Sequence, residues 1–334
     1  MSASTLRTVS ILGTGSYIPE KVVTNADLAK IVDTTDEWIV SRTGMKERHM
    51  ARPDEAASDM GAAAARKAME AAGVTADQIG MIVCASITPD MPFPSTACYV
   101  QRLIGAHNAF CLDITAACSG FIYSLELARN AIAAGQVDTA LIIGTEKLTG
   151  VVDWQDRQTC VLFGDAAGAA VLGARGAPHG IRATSLGSDG RLAELLMLPG
   201  GGSRHPTSSE TIAQRLHYMK MSGREVFKHA VTRMIEACQK AMAKAGVKVE
   251  DVDLVIPHQA NLRIIEAIGH RLGVANDKYF INLEKYGNIS AASIPVALDE
   301  AVRGGRVKKG DTIVLVAFGG GFTWGSAVLD WDKE

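Results

Sequence analysis

Residues 67–83 read KAMEAAGVTADQIGMIV and residues 240–256 read KAMAKAGVKVEDVDLVI, two stretches that align without a gap at an offset of 173 positions. In both, the apolar spacing of a helix ends at Ala-Gly-Val, an acidic turn follows, and a β-branched strand comes next. The offset returns in DTALIIG from Asp138 and DTIVLVA from Asp311. Solenoid repeats run at roughly 20 to 50 residues, so this period marks a whole α/β unit used twice. Two similar fused halves are expected, residues 1–178 and 179–334. The boundary falls in ARGAPHG at 174–180, where Gly and Pro break the pattern. A chain of 334 residues lets two such units bury a large core.

Composition narrows the classes of function. The chain is 21% charged with 33 Gly and few aromatics, as in a soluble α/β protein rich in tight turns. A formal charge of −2 removes the overall basic field that nucleic-acid binding needs, so an acidic partner would have to find a local basic patch. No basic start precedes a long apolar core, and no stretch reaches the ~20 apolar residues of a membrane span, so a cytoplasmic protein is expected. Six cysteines at 84, 98, 111, 118, 160 and 238 form no CxxC pair and are expected as free thiols. The histidines lack ligand spacing, so no metal is expected. GTGSY near the N-terminus lacks the third Gly and the following helix of a dinucleotide fingerprint, which argues against a nicotinamide enzyme.

The duplication also indicates where chemistry belongs. In abutting α/β units a cleft forms where strand ends and helix starts converge. FCLDITAA leads to Cys118 and a helical pattern closed by Gly135, and YFINLEKYGN leads to Asn288 and a pattern closed by Gly305. Each residue lies 17 positions before its closing glycine, which makes Cys118 and Asn288 expected equivalents facing one cleft. Between them, in VIPHQANLRIIEAIGHRLG, Pro257 stops a strand and Asn261 can cap a helix running to Gly273. His258 therefore stands at a strand-to-helix corner beside the other two.

A thiol at a helix start feels unpaired N–H groups and the positive end of the dipole, which favour thiolate. Cys-His-Asn can serve a hydrolase in which Asn orients His. The same trio can also point two donors, His258 and Asn288, at one thioester carbonyl and stabilise the enolate formed when a malonyl group loses carbon dioxide. That use requires a neutral His258 with its proton on Nε2 and an apolar surround. AFGGGFTWG near the C-terminus offers backbone N–H groups for a second oxyanion on an acyl group held by Cys118.

Read together, DITAACSGF, VIPHQANLR, YGNISAAS and AFGGGFTWGSA, with GTGSYIPE and DEWIVSRTGMKER near the start, closely resemble the β-ketoacyl-acyl-carrier-protein synthase III family of thiolase-like condensing enzymes. The resemblance runs over nearly the whole chain. It implies a homodimer of thiolase-like fold, an α/β protein whose duplicated halves form a five-layered α-β-α-β-α core. It also implies an acyltransferase that condenses an acyl-CoA primer, typically acetyl-CoA, with malonyl-acyl carrier protein to begin type II fatty acid synthesis. Acyl-CoA is then a substrate, and no cofactor is implied.

By the same resemblance Cys118 accepts the acyl group, His258 and Asn288 hold the malonyl carbonyl, and the N–H groups of Cys118 and Gly320 form an oxyanion hole. Trp38, Arg42 and Arg157 match coenzyme A contacts, and Asn261 matches a contact to the pantetheine arm. Lys228, Gln259 and Arg263 match carrier-protein contacts, and Phe93 matches an acyl-pocket residue that reaches across the dimer. Ser119 and Ile289 stand where Ala and Thr are frequent in the family, and His270 where Lys is expected. A sibling condensing enzyme making a quinolone, a long-chain ketone or a polyketide starter is the competing reading. A Cys-His acyl hydrolase stands behind it.

Overall fold

The computed structural model describes residues 6–175 and 180–333. The boundary expected between residues 178 and 179 lies outside the described residues. Two mixed sheets carry the chain. The first runs in spatial order Thr8–Tyr17, Asp165–Arg175, Thr139–Lys147, Met81–Ala85, Phe110–Ile114. The second runs Ile181–Ser188, Thr323–Asp330, Thr312–Gly319, Leu254–Pro257, with Tyr279 bridged in parallel beyond Val255. Taken in this order, both begin with two antiparallel pairings and continue with parallel ones. Strands that are covered on both faces read as unbroken apolar runs, as MIVCA and LVIP do.

The helices Gly120–Ala133 and Ser293–Arg303 lie between the sheets. Phe121, Leu125 and Ile132 of the first and Ile294 and Leu298 of the second share one core with Val83, Ile142, Ile256 and Leu315 from both sheets. Burying each such side chain contributes roughly 1.5–3 kcal/mol. Helix Ala57–Ala72 covers the outer face of the first sheet, and Gly223–Ala245 with Leu262–Leu272 covers that of the second. The result is the five-layered α-β-α-β-α order.

The 173-residue offset extends into the loops. Ala117 and Ser290 both have φ of 45°, and each opens a 3-10 turn ahead of a middle-layer helix, Ala117–Ser119 and Ser290–Ala292. The matching turn bonds are Ser119 N–H to Ala116 O and Ala292 N–H to Ile289 O. Cys118 is therefore equivalent to Ala291, not to Asn288. Counting back from the closing glycines misleads because the first helix has 14 residues and the second 11, one turn fewer. Asn288 lies one turn upstream of its expected position, on the approach to the corner.

Candidate functional site

The two corners meet at the join of the halves. Cys118, His258 and Asn288 line one cavity of about 510 Å³, whose walls include Leu196, Met219, Met234 and Ile264. Cys118 is 7% exposed, and its Sγ donates to Ser290 Oγ at 3.5 Å. Burial pushes the thiol up to about 12; the Ser290 hydrogen bond opposes this and the charge of Glu146 adds to it. Burial within apolar walls therefore opposes the thiolate that the helix start favours.

His258 follows Pro257 at the end of the Leu254–Pro257 strand, and its backbone N–H donates to Val316 O. The ring is 3% exposed, and burial pulls its pKa down to about 3. It is neutral across the physiological range, as the two-donor reading requires. Nδ1 is buried with no partner among the described residues. A ring with its proton on Nε2 leaves only a lone pair at Nδ1 and turns its donor to the cavity.

Asn288 is fixed on both sides, its N–H donating to Leu162 O and its C=O accepting from Gly164 N–H. Its Oδ1 accepts from Ser290 N–H at 2.9 Å, so the amide NH2 is the group left for a ligand. Ser290 therefore touches both the thiol and the amide. Gly319 closes the site at the end of the Thr312–Gly319 strand: a Cβ there would fall 2.6 Å from the Cys118 amide nitrogen. Gly320 and Gly321 continue the cavity wall.

An outer cleft is lined by Trp38, Arg42, Arg157 and Arg263. The guanidinium of Arg42 lies 5.1 Å from the Trp38 ring centroid and that of Arg157 lies 4.8 Å from it. Leu162, Met221, Gly223, Phe227 and Asn261 border both spaces, which makes them the passage between the surface and the thiol. Asn261 caps the Leu262–Leu272 helix through Arg263 N–H and donates to Arg42 O, tying the passage to the cleft. Arg263 stacks over Phe227, and Lys228 is exposed on the neighbouring helix.

Gln259 lies outside both spaces. Gln259 is 1% exposed, and its amide donates to Pro257 O and Phe280 O and accepts from Asn282 N–H. It braces the corner beneath His258 and has no group to offer a carrier protein. Phe93 is 85% exposed and lies outside the cavity of its own chain.

The sequence reading missed Ser290 and Glu146. Glu146 is fully buried in the Thr139–Lys147 strand; it accepts from Ser86 Oγ, Ile87 N–H and Thr88 Oγ1, and at 3.5 Å from Ala291 N–H. The available signal was a carboxylate inside the apolar strand LIIGTEK. Among the described residues no group of three His, Cys, Asp or Glu could hold a metal, and no helix is long and apolar enough to cross a membrane.

A thiol that shares an apolar cavity with two hydrogen-bond donors across the join of a duplicated α/β frame defines a condensing enzyme of the thiolase-like class. Within that class the chain belongs to the 3-oxoacyl-[acyl-carrier-protein] synthase III family of acyltransferases, also called β-ketoacyl-[acyl-carrier-protein] synthase III. The family model matches residues 112–190 and its C-terminal model matches residues 242–331. The chain is 53% identical to the β-ketoacyl-[acyl-carrier-protein] synthase III of Caldanaerobacter subterraneus subsp. tengcongensis, over 97% of this chain and 98% of the relative. It is also 53% identical to that of Symbiobacterium thermophilum, over 98% and 99%. The crystal structure of 3-oxoacyl-[acyl-carrier-protein] synthase III from Aquifex aeolicus VF5 superimposes with a TM-score of 0.90 at 48% identity, covering 97% of this chain and all of that one.

Proposed function

We propose that this chain joins an acyl group carried on coenzyme A, acetyl in the first instance, to malonyl-acyl carrier protein with loss of carbon dioxide. The 3-ketoacyl product starts a fatty acid chain. The observation that carries this reading is that Cys118, His258 and Asn288 share one apolar cavity reached from a cleft with Trp38 and four arginines at its walls. Adenine stacks at Trp38 and Arg157, Arg42 meets phosphate, and the pantetheine arm passes Asn261. Cys118 takes the acyl group as a thioester, with the N–H groups of Cys118 and Gly320 holding the oxyanion.

Malonyl thioester then enters by the same passage. Neutral His258 and the Asn288 amide donate to its carbonyl, and the enolate left by carbon dioxide attacks the acyl carbon on Cys118. Each donor is worth roughly 3 to 4 kcal/mol in such a transition state. Lys228 and Arg263, at the mouth, receive the acidic carrier. The two halves act as catalytic partners, one supplying the nucleophile and the other the donors. A second copy of the chain covers Phe93, Met91 and Phe110, three exposed apolar side chains. The enzyme works in the cytoplasm.

The test is intact-protein mass spectrometry after acetyl-, isobutyryl- or octanoyl-coenzyme A, followed by malonyl-acyl carrier protein. One acyl group is expected on Cys118, discharged as 3-ketoacyl carrier. Release of free acid with no malonyl requirement would instead assign an acyl hydrolase.

A further inference from the structure

Burial favours the protonated thiol, which must lose its proton when it attacks, and His258 has its own use as a neutral donor. The hydrogen bonds around Cys118 offer another destination. Cys118 Sγ donates to Ser290 Oγ at 3.5 Å, and the Glu146 carboxylate lies 3.5 Å from the N–H of the next residue, Ala291, with the Ser290 side chain among the neighbours that lower its pKa. Ser290 is held at φ 45°, a strained backbone for a residue with a side chain, and its N–H is anchored on Asn288 Oδ1. Glu146 is anchored in turn by Ser86, Thr88 and the N–H groups of Ile87 and Ala291. Neither residue is free to turn away.

We propose that Ser290 is a catalytic residue and Glu146 the positioning residue behind it, together forming a relay that takes the Cys118 proton as the thiol attacks the primer thioester. The sulfur–carbon bond to Cys118 forms while the thiol proton passes to Ser290 Oγ and the serine's own proton passes to Glu146. When the tetrahedral adduct collapses, the bond to the coenzyme A sulfur breaks. The proton returns along the relay to that departing thiolate, leaving Ser290 and Glu146 as they began.

Burial raises the Glu146 carboxyl to about 6, which suits a group that accepts a proton briefly near neutral pH. The titratable neighbours that feel its charge are Cys84 on the adjoining strand and Cys118 itself. Lys147, next in the strand, spends its ammonium on the carbonyls of Arg52 and Glu55.

The relay rests on the nucleophile assignment proposed above, so its test uses iodoacetamide, which needs the thiol but no primer. Alkylation of Cys118 is followed by mass spectrometry at pH 5 to 8 in the full-length protein and in Glu146→Gln, Glu146→Asp and Ser290→Ala. General-base assistance contributes about 10²-fold or more. Glu146→Gln and Ser290→Ala are expected to slow alkylation at pH 7 by that factor, Glu146→Asp to recover most of it, and the inflection near pH 6 to vanish in Glu146→Gln. A carboxylate acting only through its charge predicts the opposite sign, because removing it lowers the thiol pKa and speeds alkylation. Faster or unchanged alkylation in Glu146→Gln overturns the relay. Retained malonyl decarboxylation reports an intact His258–Asn288 site. Should Glu146→Gln fail to fold, an unchanged rate in Ser290→Ala, or no inflection near pH 6 in the unaltered protein, overturns it equally.

Discussion

Gly319 lies against Cys118 so closely that a Cβ on the glycine would fall 2.6 Å from the cysteine's amide nitrogen. A real Cβ must displace either the end of the Thr312–Gly319 strand or the turn that carries the thiol. Gly319→Ala is expected to lower Cys118 acylation by 10²-fold or more, the loss typical of one oxyanion donor. Stopped-flow release of coenzyme A measures this, with circular dichroism to show the fold is retained. Acylation within threefold of the parent would remove the N–H of Cys118 from the mechanism.

The division of labour between the halves predicts two opposite phenotypes. Cys118→Ser is expected to abolish acyl transfer while malonyl decarboxylation partly survives on the remaining donors. His258→Ala and Asn288→Ala are expected to keep acyl labelling of Cys118 and to lose decarboxylation by 10²- to 10³-fold. Release of carbon dioxide and acyl labelling are measured separately. Complete loss of labelling in either donor variant would sink the assignment.

Two buried groups give pH dependence of opposite sign. His258 falls from 6.5 to about 3 on folding, so its contribution to stability is complete above 6.5 and is lost as pH falls toward 3. Between pH 6.5 and 4.5 that amounts to about 2 to 3 kcal/mol. Glu146 rises from 4.5 to about 6, so its contribution is present below 4.5 and lost as pH rises through 6. Urea midpoints at pH 7.5, 5.5 and 4.5 should fall less steeply with acid in His258→Gln and more steeply in Glu146→Gln. Parallel slopes in all three proteins would contradict the burial of these groups.

The guanidinium groups of Arg42 and Arg157 both lie about 5 Å from the centre of the Trp38 ring. Trp38→Ala and Arg157→Ala are expected to raise KM for acyl-CoA about tenfold while kcat stays within twofold, the signature of uniform binding. Steady-state kinetics against acetyl-CoA decide it. A fall in kcat with unchanged KM would move the nucleotide elsewhere.

Phe93 is expected to be covered by a second copy of the chain. Phe93→Asp should shift sedimentation velocity from dimer toward monomer at micromolar concentration and reduce acylation with it. A parent chain that sediments as a monomer would disprove the dimer.

Local chemistry was legible in the sequence wherever a pattern lies along the chain. KAM, AGV and DT at one offset gave the duplicated frame, Asn261 and Gly273 bounded their helix, and Cys118, His258 and Asn288 reached one cavity. What failed was whatever depended on length in three dimensions or on contacts between the halves. Asn288 was mistaken for the partner of Cys118 because a helix shortened by one turn keeps its closing glycine. Gln259 looked available because a polar side chain next to His258 gives no sign that Pro257, Phe280 and Asn282 will use its whole amide. Ser290 and Glu146 come near the thiol only after the two corners dock, and the apolar walls that raise the Cys118 pKa come from both halves.

The offset of 173 positions pairs Cys118 with Ala291 and Gly319 with Glu146. Each corner thus presents one amide N–H to the end of one strand. At Ala291 that strand end supplies its own carboxylate, 3.5 Å from the N–H, whereas at Cys118 it supplies a residue with no side chain. A symmetric frame has become lopsided: one of its two N–H sockets is filled by the chain's own carboxylate, and under the proposed mechanism only the socket in the first half is left for the oxyanion of a bound acyl group.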